Sequence, residues 1–376
     1  MSNLKVKLGD VAHECRQNWH GSQQGVPIVG LEHLEQGEIE LKNWDKDIEH
    51  TFSKKFQKGQ VLLGRRRVYL RKAIFAPCDG ICSGDITVIE AGEGILPELL
   101  PFVIQNDLFF DYAMRGSAGS LSPRVKWDYL KNYEFSLPPL PEQKVLAEKL
   151  WAAYRLKEAY KKLLAATDEM VKAKFVEMLG EIKTQKQLEL KKLRDIVHPD
   201  CPISYGIVQP GDGIENGIPV VRPVDLNPNL FVYRNGLKMT SENISNLYKR
   251  TILRGDELLL CVRGTTGIMG IATEELRGCN VTRGITPLFF KEGVNRIYIL
   301  CVFLSDETQK YIADNTIGSA LKNINMDKVR EMPIPLPPIE QQNKFEKIFI
   351  QTYNAKTALQ KSIESIDSVI KSLINK

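Results

Sequence analysis

The sequence predicts an α+β protein made of two similar mixed α/β domains, each followed by a long helix of coiled-coil character. Three observations support this fold class. The chain contains a collinear internal repeat, each repeat begins with short β-type runs broken by glycine and proline, and each repeat ends in an apolar heptad pattern. A chain of 376 residues is also long enough to form two domains.

The internal repeat is clearest around a proline motif near the end of each half. The segment Leu137-Pro138-Pro139-Leu140 recurs as Leu336-Pro337-Pro338-Ile339, at an offset of 199 residues. Upstream the offset falls to 196, 192 and then 185, as insertions would cause, so the halves are residues 1–185 and 186–376. Coincidence among common dipeptides does not explain collinear matches. Further matches at the offset of 199 are Ile86-Thr87 with Ile285-Thr286, Glu93-Gly94 with Glu292-Gly293, Tyr112 with Tyr311, Gly119-Ser120 with Gly318-Ser319, and Asp128 with Asp327.

The first part of each half is rich in glycine, proline and runs of aliphatic, β-branched or aromatic residues. Such runs between turn-forming residues are typical of short strands. Each half therefore begins with a mixed α/β module. The clearest strand candidates are Gln60–Leu63, Ile86–Ile89, Glu257–Val262 and Ile285–Phe290, and short helical stretches are expected at Leu99–Met114 and Ile297–Asp314.

A long helix ends each half, and a proline-rich segment indicates where it starts, because proline is tolerated only before a helix or in its first turn. The first helix is expected from Glu142 to Leu179, with Gly180 as its C-terminal cap. The second is expected from Glu340 to Leu373. Helices of this length are far longer than average, and each would span on the order of 50–55 Å.

Both long helices carry a seam with steps of three and four residues, which is the spacing of a coiled coil. Such a seam requires a partner helix. Two ordinary amphipathic helices packed on separate cores are the alternative. The seam positions are Leu146, Leu150, Ala153, Lys157, Tyr160, Leu164, Thr167, Val171 and Met178 in the first helix, and Phe345, Phe349, Thr352, Lys356, Leu359, Ile363, Ile366, Ile370 and Leu373 in the second.

The composition sets mild limits on function. With 51 basic and 46 acidic residues the net charge is +5, which permits a polyanionic partner without requiring one. The seven cysteines form no C-x-x-C pair, so reduced, buried thiols are favoured over a zinc site, and no metal is expected. The sequence has no signal-peptide core and no apolar run of about 18 residues, so a cytoplasmic protein is expected.

Catalytic signatures are missing from the sequence. It contains no G-x-x-x-x-G-K-[ST] loop, no H-E-x-x-H and no G-x-S-x-G. The nearest approach to a methyltransferase tetrapeptide is Asn227-Pro228-Asn229-Leu230, which lacks the second proline and the aromatic and is more typical of a turn. The tripeptide Glu181-Ile182-Lys183 is expected in a solvated linker turn rather than in a nuclease site. No catalytic residue is therefore assigned.

The best candidates for binding are loops at equivalent places in the two halves. In the first half, a basic loop with one aromatic follows a strand, and its guanidinium groups suit phosphates or guanine edges; a solvated charged turn is the alternative. The equivalent loop of the second half has fewer charges and more hydroxyls, and the arginine triplet has no counterpart there. The candidates are Arg65, Arg66, Arg67, Tyr69, Arg71 and Lys72 in the first half, and Arg263, Thr265 and Thr266 in the second.

A second candidate loop follows the Gly-Ser pair in each half. The first-half loop contains Arg124 and Lys126, and the second-half loop contains Lys322, Asn323 and Asn325. Arginine and lysine suit phosphate or guanine contacts, whereas asparagine suits adenine edges. Matching frameworks with different loops are what two modules reading two different DNA sequences would show.

The order of these segments resembles the specificity subunits of type I restriction–modification systems, and the resemblance covers essentially the whole chain. It rests on the proline motif that occurs twice, each time at the start of a heptad helix. The matching segments are Leu137 to Gln143, Pro335 to Gln341, Tyr69 to Lys72 with Asp79 to Ser83, and Gly255 to Leu260.

The resemblance implies two target-recognition domains, at residues 1–136 and 186–335, separated by two antiparallel helices, at 137–185 and 336–376, with pseudo-two-fold symmetry. It implies a non-catalytic subunit that recognises a bipartite, asymmetric target in double-stranded DNA. The implied partners are two methyltransferase subunits, which use S-adenosylmethionine, and two restriction subunits, which use ATP and Mg²⁺; no cofactor is implied for this chain. A stand-alone DNA-modifying enzyme and a duplicated coiled-coil adaptor remain the alternatives.

Overall fold

The chain folds into two compact units, and each contains part of both long helices. The first unit comprises residues 1–164 and 358–376, and the second comprises residues 165–357. The computed structural model describes residues 4–119, 121–184, 188–211, 214–226, 230–319 and 321–374, apart from the side chains of residues 181–184. Within these ranges, no helix has both the length and the apolar composition that crossing a membrane would need.

The first unit is built around an antiparallel sheet with the strand order β2-β8-β5-β6 and a smaller sheet with the order β3-β7-β4. Strands β1 and β9 pair separately, just before the long helix α5. The elements are β1 (Leu4–Lys7), α1 (Leu8–Val11), β2 (Ala12–Cys15), β3 (Ile28–Val29), β4 (Lys54–Phe56), β5 (Val61–Gly64), β6 (Ala73–Phe75), β7 (Gly80–Cys82), β8 (Ile86–Ala91), α2 (Leu100–Ile104), α3 (Asp107–Arg115), α4 (Trp127–Leu130), β9 (Glu134–Leu137) and α5 (Leu140–Thr184), with a 3₁₀ turn at Val68–Leu70.

The second unit also has a four-stranded and a three-stranded sheet, with the strand orders β12-β15-β14-β17 and β13-β11-β16. The fourth strand of its larger sheet is the parallel edge strand β12 beside β15, whereas that of the first unit is β2 beside β8. Its elements are β10 (Glu189–Lys192), α6 (Leu193–Ile196), β11 (Ile218–Val221), β12 (Phe231–Val232), β13 (Lys238–Thr240), α7 (Glu242–Leu247), β14 (Leu258–Cys261), β15 (Met269–Ala272), β16 (Asn280–Val281), β17 (Ile285–Leu288), α8 (Arg296–Leu304), α9 (Asp306–Asp314), β18 (Thr316–Ile317), β19 (Asn323–Ile324), α10 (Met326–Arg330), β20 (Pro333–Leu336) and α11 (Ile339–Ile374), with 3₁₀ turns at Pro223–Leu226, Lys249–Thr251 and Glu274–Leu276.

The internal repeat is visible in strand register. Leu4 pairs with Leu137 in β1–β9, and Glu189 pairs with Leu336 in β10–β20, at offsets of 185 and 199. In the central sheets, β5 pairs with β6 and β8 as β14 pairs with β15 and β17. The small sheets differ, because β4 pairs with β7 whereas β13 pairs with β11. The predicted α+β fold class with a duplicated module is confirmed.

Each unit has its own apolar core, in which the central sheet packs against the helices and against part of a long helix. In the first unit Phe102, Phe109 and Phe110 are fully buried together with Leu150 of α5. In the second unit the corresponding cluster includes Tyr298 and Phe303 of α8 and residues of both long helices. Burying one such side chain stabilises the fold by about 1.5–3 kcal/mol, so the helices gain much of their stability from these cores.

The prediction that Gly180 caps the first long helix is wrong, because α5 continues through it to Thr184. Gly180 is not in the left-handed conformation that a glycine cap adopts. One glycine inside a helix costs only about 1 kcal/mol, and the burial of Phe175 and Met178 in the second core offsets that cost. Residues 181–183 are thus helical rather than a linker turn, although their side chains lie outside the described atoms.

The expected short helices are each divided into two. Asn106 accepts a hydrogen bond from the backbone N–H of Leu108 and starts α3, and Ser305 accepts one from Thr308 and starts α9. Side-chain oxygens that cap a helix N-terminus compete with continuation of the preceding helix. Residues 227–229 of the proposed turn, together with Ser120 and Ala320, lie outside the described residues.

The long helices meet inside each unit, and every predicted seam position is buried or half-buried. In the first unit Lys157 of α5 forms an ion pair with Asp367 of α11. In the second unit Asp168 of α5 pairs with Lys356 of α11, and the ring of Phe175 lies 5.0 Å from that of Phe345. The start of one helix therefore meets the end of the other, which is the antiparallel arrangement that the family resemblance implied.

Candidate nucleic-acid interface

The two candidate loops of the first unit, far apart in sequence, form one surface. The backbone N–H of Val125 donates to the carbonyl of Arg65 at 3.0 Å, and that of Arg67 donates to Pro123 at 2.8 Å. Arg66 and Arg124 are antiparallel bridge partners between these two bonds. Side chains of bridge partners point to the same face, so both guanidinium groups belong to one surface.

The second unit joins its loops in the same way. The backbone N–H of Ile324 donates to Val262 at 3.0 Å, and that of Gly264 donates to Lys322 at 2.8 Å. Arg263 and Asn323 are the bridge partners here. These residues are related to those of the first unit by offsets of 197 and 199. The backbone framework is thus repeated while the side chains on it differ.

A carboxylate lies between the two arginines of the first unit. Asp85 Oδ1 accepts from Arg124 Nε at 2.8 Å, and Asp85 Oδ2 lies 3.3 Å from Arg124 Nη2 and 3.4 Å from Arg66 Nη1. The hydrogen bond from Arg124, with further help from Arg66, holds the pKa of the Asp85 carboxyl below its ordinary value. Ser122 Oγ accepts from Arg66 Nε and Nη2 at 3.3 Å each. Both guanidinium groups are therefore held in fixed positions but stay about 40% exposed.

Some of the remaining candidate side chains of the first loop are bound to protein partners, and others are exposed. Arg71 forms ion pairs with Asp107 and Asp111, and Lys72 Nζ donates to the carbonyl of Leu31 at 2.8 Å, so these two side chains anchor the loop to neighbouring segments. To contact DNA, Arg71 and Lys72 would have to bind it in addition to, or in place of, these protein partners. Their predicted DNA contact stays a prediction. The side chains of Arg67 and Tyr69 are exposed.

The backbone around the 3₁₀ turn adopts an unusual conformation at both ends. Arg67 and Arg71 have φ values of 52° and 51°, which non-glycine residues rarely adopt and which cost about 1–3 kcal/mol. Arg65 is half-buried, and its Nε is buried with no hydrogen-bond acceptor among the described residues. Lys126 is exposed immediately before α4. The loop keeps this conformation despite the backbone strain, so the directions of its arginine side chains are fixed.

The loops of the second unit present fewer charges. Arg263 is half-buried, and no described carboxylate lies within 4.0 Å of its guanidinium. The Thr265 hydroxyl is 3.5 Å from Cys261 Sγ, and the Thr266 hydroxyl is 3.3 Å from that of Thr316. Lys322 is exposed beside this surface.

Comparison with known proteins shows that this chain is similar to type I specificity subunits. A family model described as type I restriction modification DNA specificity domain matches residues 209–366. The type I restriction enzyme EcoBI specificity subunit of Escherichia coli is 24% identical over 72% of this chain and 65% of its own length. Residues 209–366 thus match a specificity domain, and the chain is similar to type I specificity subunits. The chain spans less than two thirds of the length of four curated relatives that it matches.

Solved structures agree with this family at the level of fold. The type I restriction–modification system S subunit from M. genitalium has a TM-score of 0.59 at 12% identity, covering 99% of this chain and 95% of that one. A chain from a structural study of complex assembly and conformational transition of the type I R-M system has a TM-score of 0.56 at 18% identity, covering 100% and 97%. The family model lies in the second half, and the register of β10–β20 in that half repeats the register of β1–β9 in the first half.

One of the candidate binding residues has a structural role. Asn325 is the N-cap of α10, because its side-chain oxygen accepts a hydrogen bond from the backbone N–H of Asp327 at 3.1 Å. An asparagine in this position typically stabilises a helix by about 1 kcal/mol. One lone pair of its amide oxygen is therefore engaged in capping the helix. Asn323 lies on strand β19 beside Arg263 and is the better-placed amide.

The sequence analysis missed the glutamine that ties the proline motif to its unit. Gln143 is buried, accepts from the N–H of Leu96, and donates to the carbonyls of Gly94 and Pro138 at 2.9–3.0 Å. Gln342 repeats these bonds with Asn295, Gly293 and Pro337. The offset of 199 would have identified this pair, but the motif was matched only as far as Gln341. Each glutamine joins the globular part of its unit to the start of a long helix.

Three metal-binding side chain types also meet on the first unit, at β2 and β8. The donor atoms of His13, Cys15 and Glu90 lie within 4.8 Å of one another. Burial, together with Glu90, raises the pKa of the Cys15 thiol to about 12, so the thiol is protonated and donates to Glu90 Oε2 at 2.9 Å. Gln60 donates to the same oxygen at 3.0 Å. The neutral Cys15 thiol and the Gln60 amide thus both donate hydrogen bonds to the Glu90 carboxylate.

Proposed function

We propose that this chain is the DNA-recognition subunit of a type I restriction–modification enzyme, in which each unit reads one half of a bipartite, asymmetric target in double-stranded DNA. The observation that carries the proposal is the pair of loops in each unit. They are joined by equivalent backbone hydrogen bonds but present Arg66 and Arg124 in one unit and Arg263 and Asn323 in the other. Two equal frameworks with different donors suit two different half-sites.

The chemistry of the surface fits duplex DNA. Arginine can donate two hydrogen bonds to O6 and N7 of guanine, asparagine can pair with N6 and N7 of adenine, and exposed lysines such as Lys126 and Lys322 suit phosphates. Arg65 and Arg67 have no carboxylate partner in the described residues, so they are the members of the triplet expected to contact phosphates.

The remaining parts of the proposal concern assembly. The paired helices would dock two methyltransferase subunits, and two restriction subunits would complete the enzyme in the cytoplasm. S-adenosylmethionine would bind to the methyltransferase subunits, and ATP with Mg²⁺ to the restriction subunits. The chain itself would perform no catalytic step and would set only where the others act.

The test exchanges one module in cells that express the chain with a methyltransferase partner. Residues 1–136 are replaced by the corresponding module of a relative, and adenine methylation is mapped across the genome. We expect a split target in which one half-site changes and the other is retained. The reciprocal control exchanges residues 186–335 and should change the other half-site.

Other outcomes would contradict the proposal. A continuous target, or a single exchange that alters both half-sites, would exclude one half-site per unit. S-adenosylmethionine bound by the isolated chain would favour a stand-alone DNA-modifying enzyme. A complex that forms normally but has no measurable affinity for DNA would favour a coiled-coil adaptor.

A further inference from the structure

Three positions in each unit meet where the two loops join. The first lies two residues after the central strand (Arg66 after β5, Arg263 after β14), and the second is its bridge partner from the second candidate segment (Arg124 or Asn323). The third is the residue immediately before β8 or β17, which is Asp85 or Gly284. Its backbone carbonyl accepts a hydrogen bond from a backbone N–H, that of Arg65 at 3.0 Å in the first unit and that of Val262 at 2.8 Å in the second. The units therefore place Arg, Arg and Asp in one case, and Arg, Asn and Gly in the other, on the same framework.

Asp85 binds one edge of the Arg124 guanidinium and leaves the other edge free. Asp85 binds Arg124 through Nε and Nη2, at 2.8 and 3.3 Å. The remaining N–H groups lie at the end of the guanidinium, on Nη1 and Nη2. Those two groups form the fork that binds O6 and N7 of guanine. Asp85 thus fixes the orientation of Arg124 and leaves its guanine-binding edge exposed.

The second unit has no room for such a carboxylate. A Cβ atom at Gly284 would lie 2.5 Å from Cγ of Pro223, closer than non-bonded carbon atoms approach each other. Among the residues that the structure describes, Arg263 consequently has no carboxylate at this joint, and its bridge partner Asn323 is uncharged. Two guanidinium groups and one carboxylate leave one net positive charge at the first joint, and Arg263 alone gives the same charge at the second. The joints differ in their pattern of donors and not in their net charge.

We propose that Asp85 is a positioning residue that holds Arg124 for guanine recognition in the major groove. The set of Arg66, Arg124 and Asp85 then determines the half-site of the first unit. The second unit, with Asn323 in place of Arg124, takes adenine at the equivalent base. This inference rests on the proposed function. Its physical basis is that an arginine held by a carboxylate loses little side-chain entropy on binding, so a wrong base is rejected more strongly.

The test uses the full chain in complex with its methyltransferase partner, a randomised duplex library and three variants. Asp85→Asn removes the charge that orients Arg124, and Arg124→Lys removes the fork while retaining a cation. Glu49→Gln is the matched control, because Glu49 is exposed in the same unit and its loss changes the net charge equally. For each protein, base preference at every position and the salt dependence of binding to non-target duplex are measured.

We expect Asp85→Asn and Arg124→Lys each to lower the preference for guanine at one position of one half-site by about tenfold, because each change weakens a bidentate contact to that base. The half-site of the second unit should not change, which also shows that the protein is folded. Non-target binding by Asp85→Asn should be equal or tighter, because the variant gains one net positive charge. A merely structural role of Asp85 would weaken binding to all sequences alike.

The outcomes separate this inference from the proposed function. If the unmodified complex enriches no sequence, the proposed function fails. If it enriches a split target and both variants leave all base preferences unchanged, only the role of Asp85 and Arg124 is excluded. If Asp85→Asn loses base preference at both half-sites, the result for Arg124→Lys decides. A loss of preference in Arg124→Lys that is confined to one guanine position supports the inference, and unchanged base preferences in that variant overturn it.

Discussion

Lys157 Nζ lies 2.6 Å from Asp367 Oδ1 and joins the start of the first long helix to the end of the second. The lysine is only 13% exposed, so the pair is less screened than a typical surface ion pair. We expect Lys157→Glu to lower the free energy of unfolding by about 1 kcal/mol, because it places two carboxylates together. Adding Asp367→Lys should restore most of the loss. Thermal unfolding measures both, and equal losses in the single and double variants would exclude the pairing.

A control on the same helix separates this pair from general charge effects. Lys162 is exposed, so Lys162→Glu should change the unfolding temperature little. A large effect of Lys162→Glu would mean that net charge, rather than the ion pair, controls the stability of the first unit.

The seam of α11 provides a second test of helix pairing. Leu359, Ile363 and Ile366 are half-buried on one face of α11 in the first unit. Replacing all three with lysine should separate the helices and prevent assembly with the proposed methyltransferase partner, because a buried, unpaired charge is costly. Co-purification measures the assembly. The matched control places lysines at the exposed positions 358, 360 and 365, and normal assembly of the seam variant would exclude the pairing.

The buried glutamines should have equal importance in the two units. Gln143→Ala leaves the N–H of Leu96 without its partner, and Gln342→Ala does the same to Asn295. We expect each variant to lower the free energy of unfolding by about 1–3 kcal/mol, the cost of an unsatisfied buried group. Urea unfolding measures it. Gln341→Ala, one residue away and half-buried, is the control and should cost much less; an equal cost would mean that helix propensity alone is responsible.

The pH dependence of the first unit should come partly from Glu38. Burial alone would raise its pKa, but hydrogen bonds from Lys161 and Lys42, each at 2.6 Å, outweigh burial and lower the pKa to about 2. A carboxyl whose pKa is depressed on folding stabilises the protein above its unfolded pKa of about 4.3, and this contribution is lost as pH falls towards 2. Glu38→Gln should therefore cost on the order of 2 kcal/mol at neutral pH and little at pH 2. Urea unfolding at a series of pH values, with Glu49→Gln as control, checks this, and parallel profiles would contradict it.

The sequence predicted the features that depend on neighbours along the chain. The repeat offset, the starts of the long helices after proline and the seam all follow from local chemistry, and α11 agrees with its prediction within one residue at each end. Gly180 was misread because a helix packed on a core tolerates a single glycine. Asn106 and Ser305 are recognisable caps, but the apolar runs around them concealed the breaks.

Contacts between distant segments could not be predicted from spacing. Asp85 reaches Arg66 and Arg124 across 19 and 39 residues, and an aspartate before a strand has no sequence mark of that role. For the same reason Arg71 and Lys72 looked as free as Arg67, although aspartates and a backbone carbonyl bind them. A basic segment therefore identifies a candidate surface, and the structure indicates which cations on it are available.

The length of the helices should determine the number of unread bases between the half-sites. Both helices pass from one unit to the other between residues 164 and 165 and between 357 and 358. Inserting seven residues at each point keeps the heptad phase and adds about 10.5 Å of helix. Because a duplex turn of 10–10.5 base pairs measures about 34–36 Å, the gap should grow by about three base pairs. Methylation mapping should show unchanged half-sites with this longer gap. An insertion of four residues at each point is the control, because it shifts the seam and should reduce assembly. A changed half-site with an unchanged gap would mean that the helices do not act as the spacer.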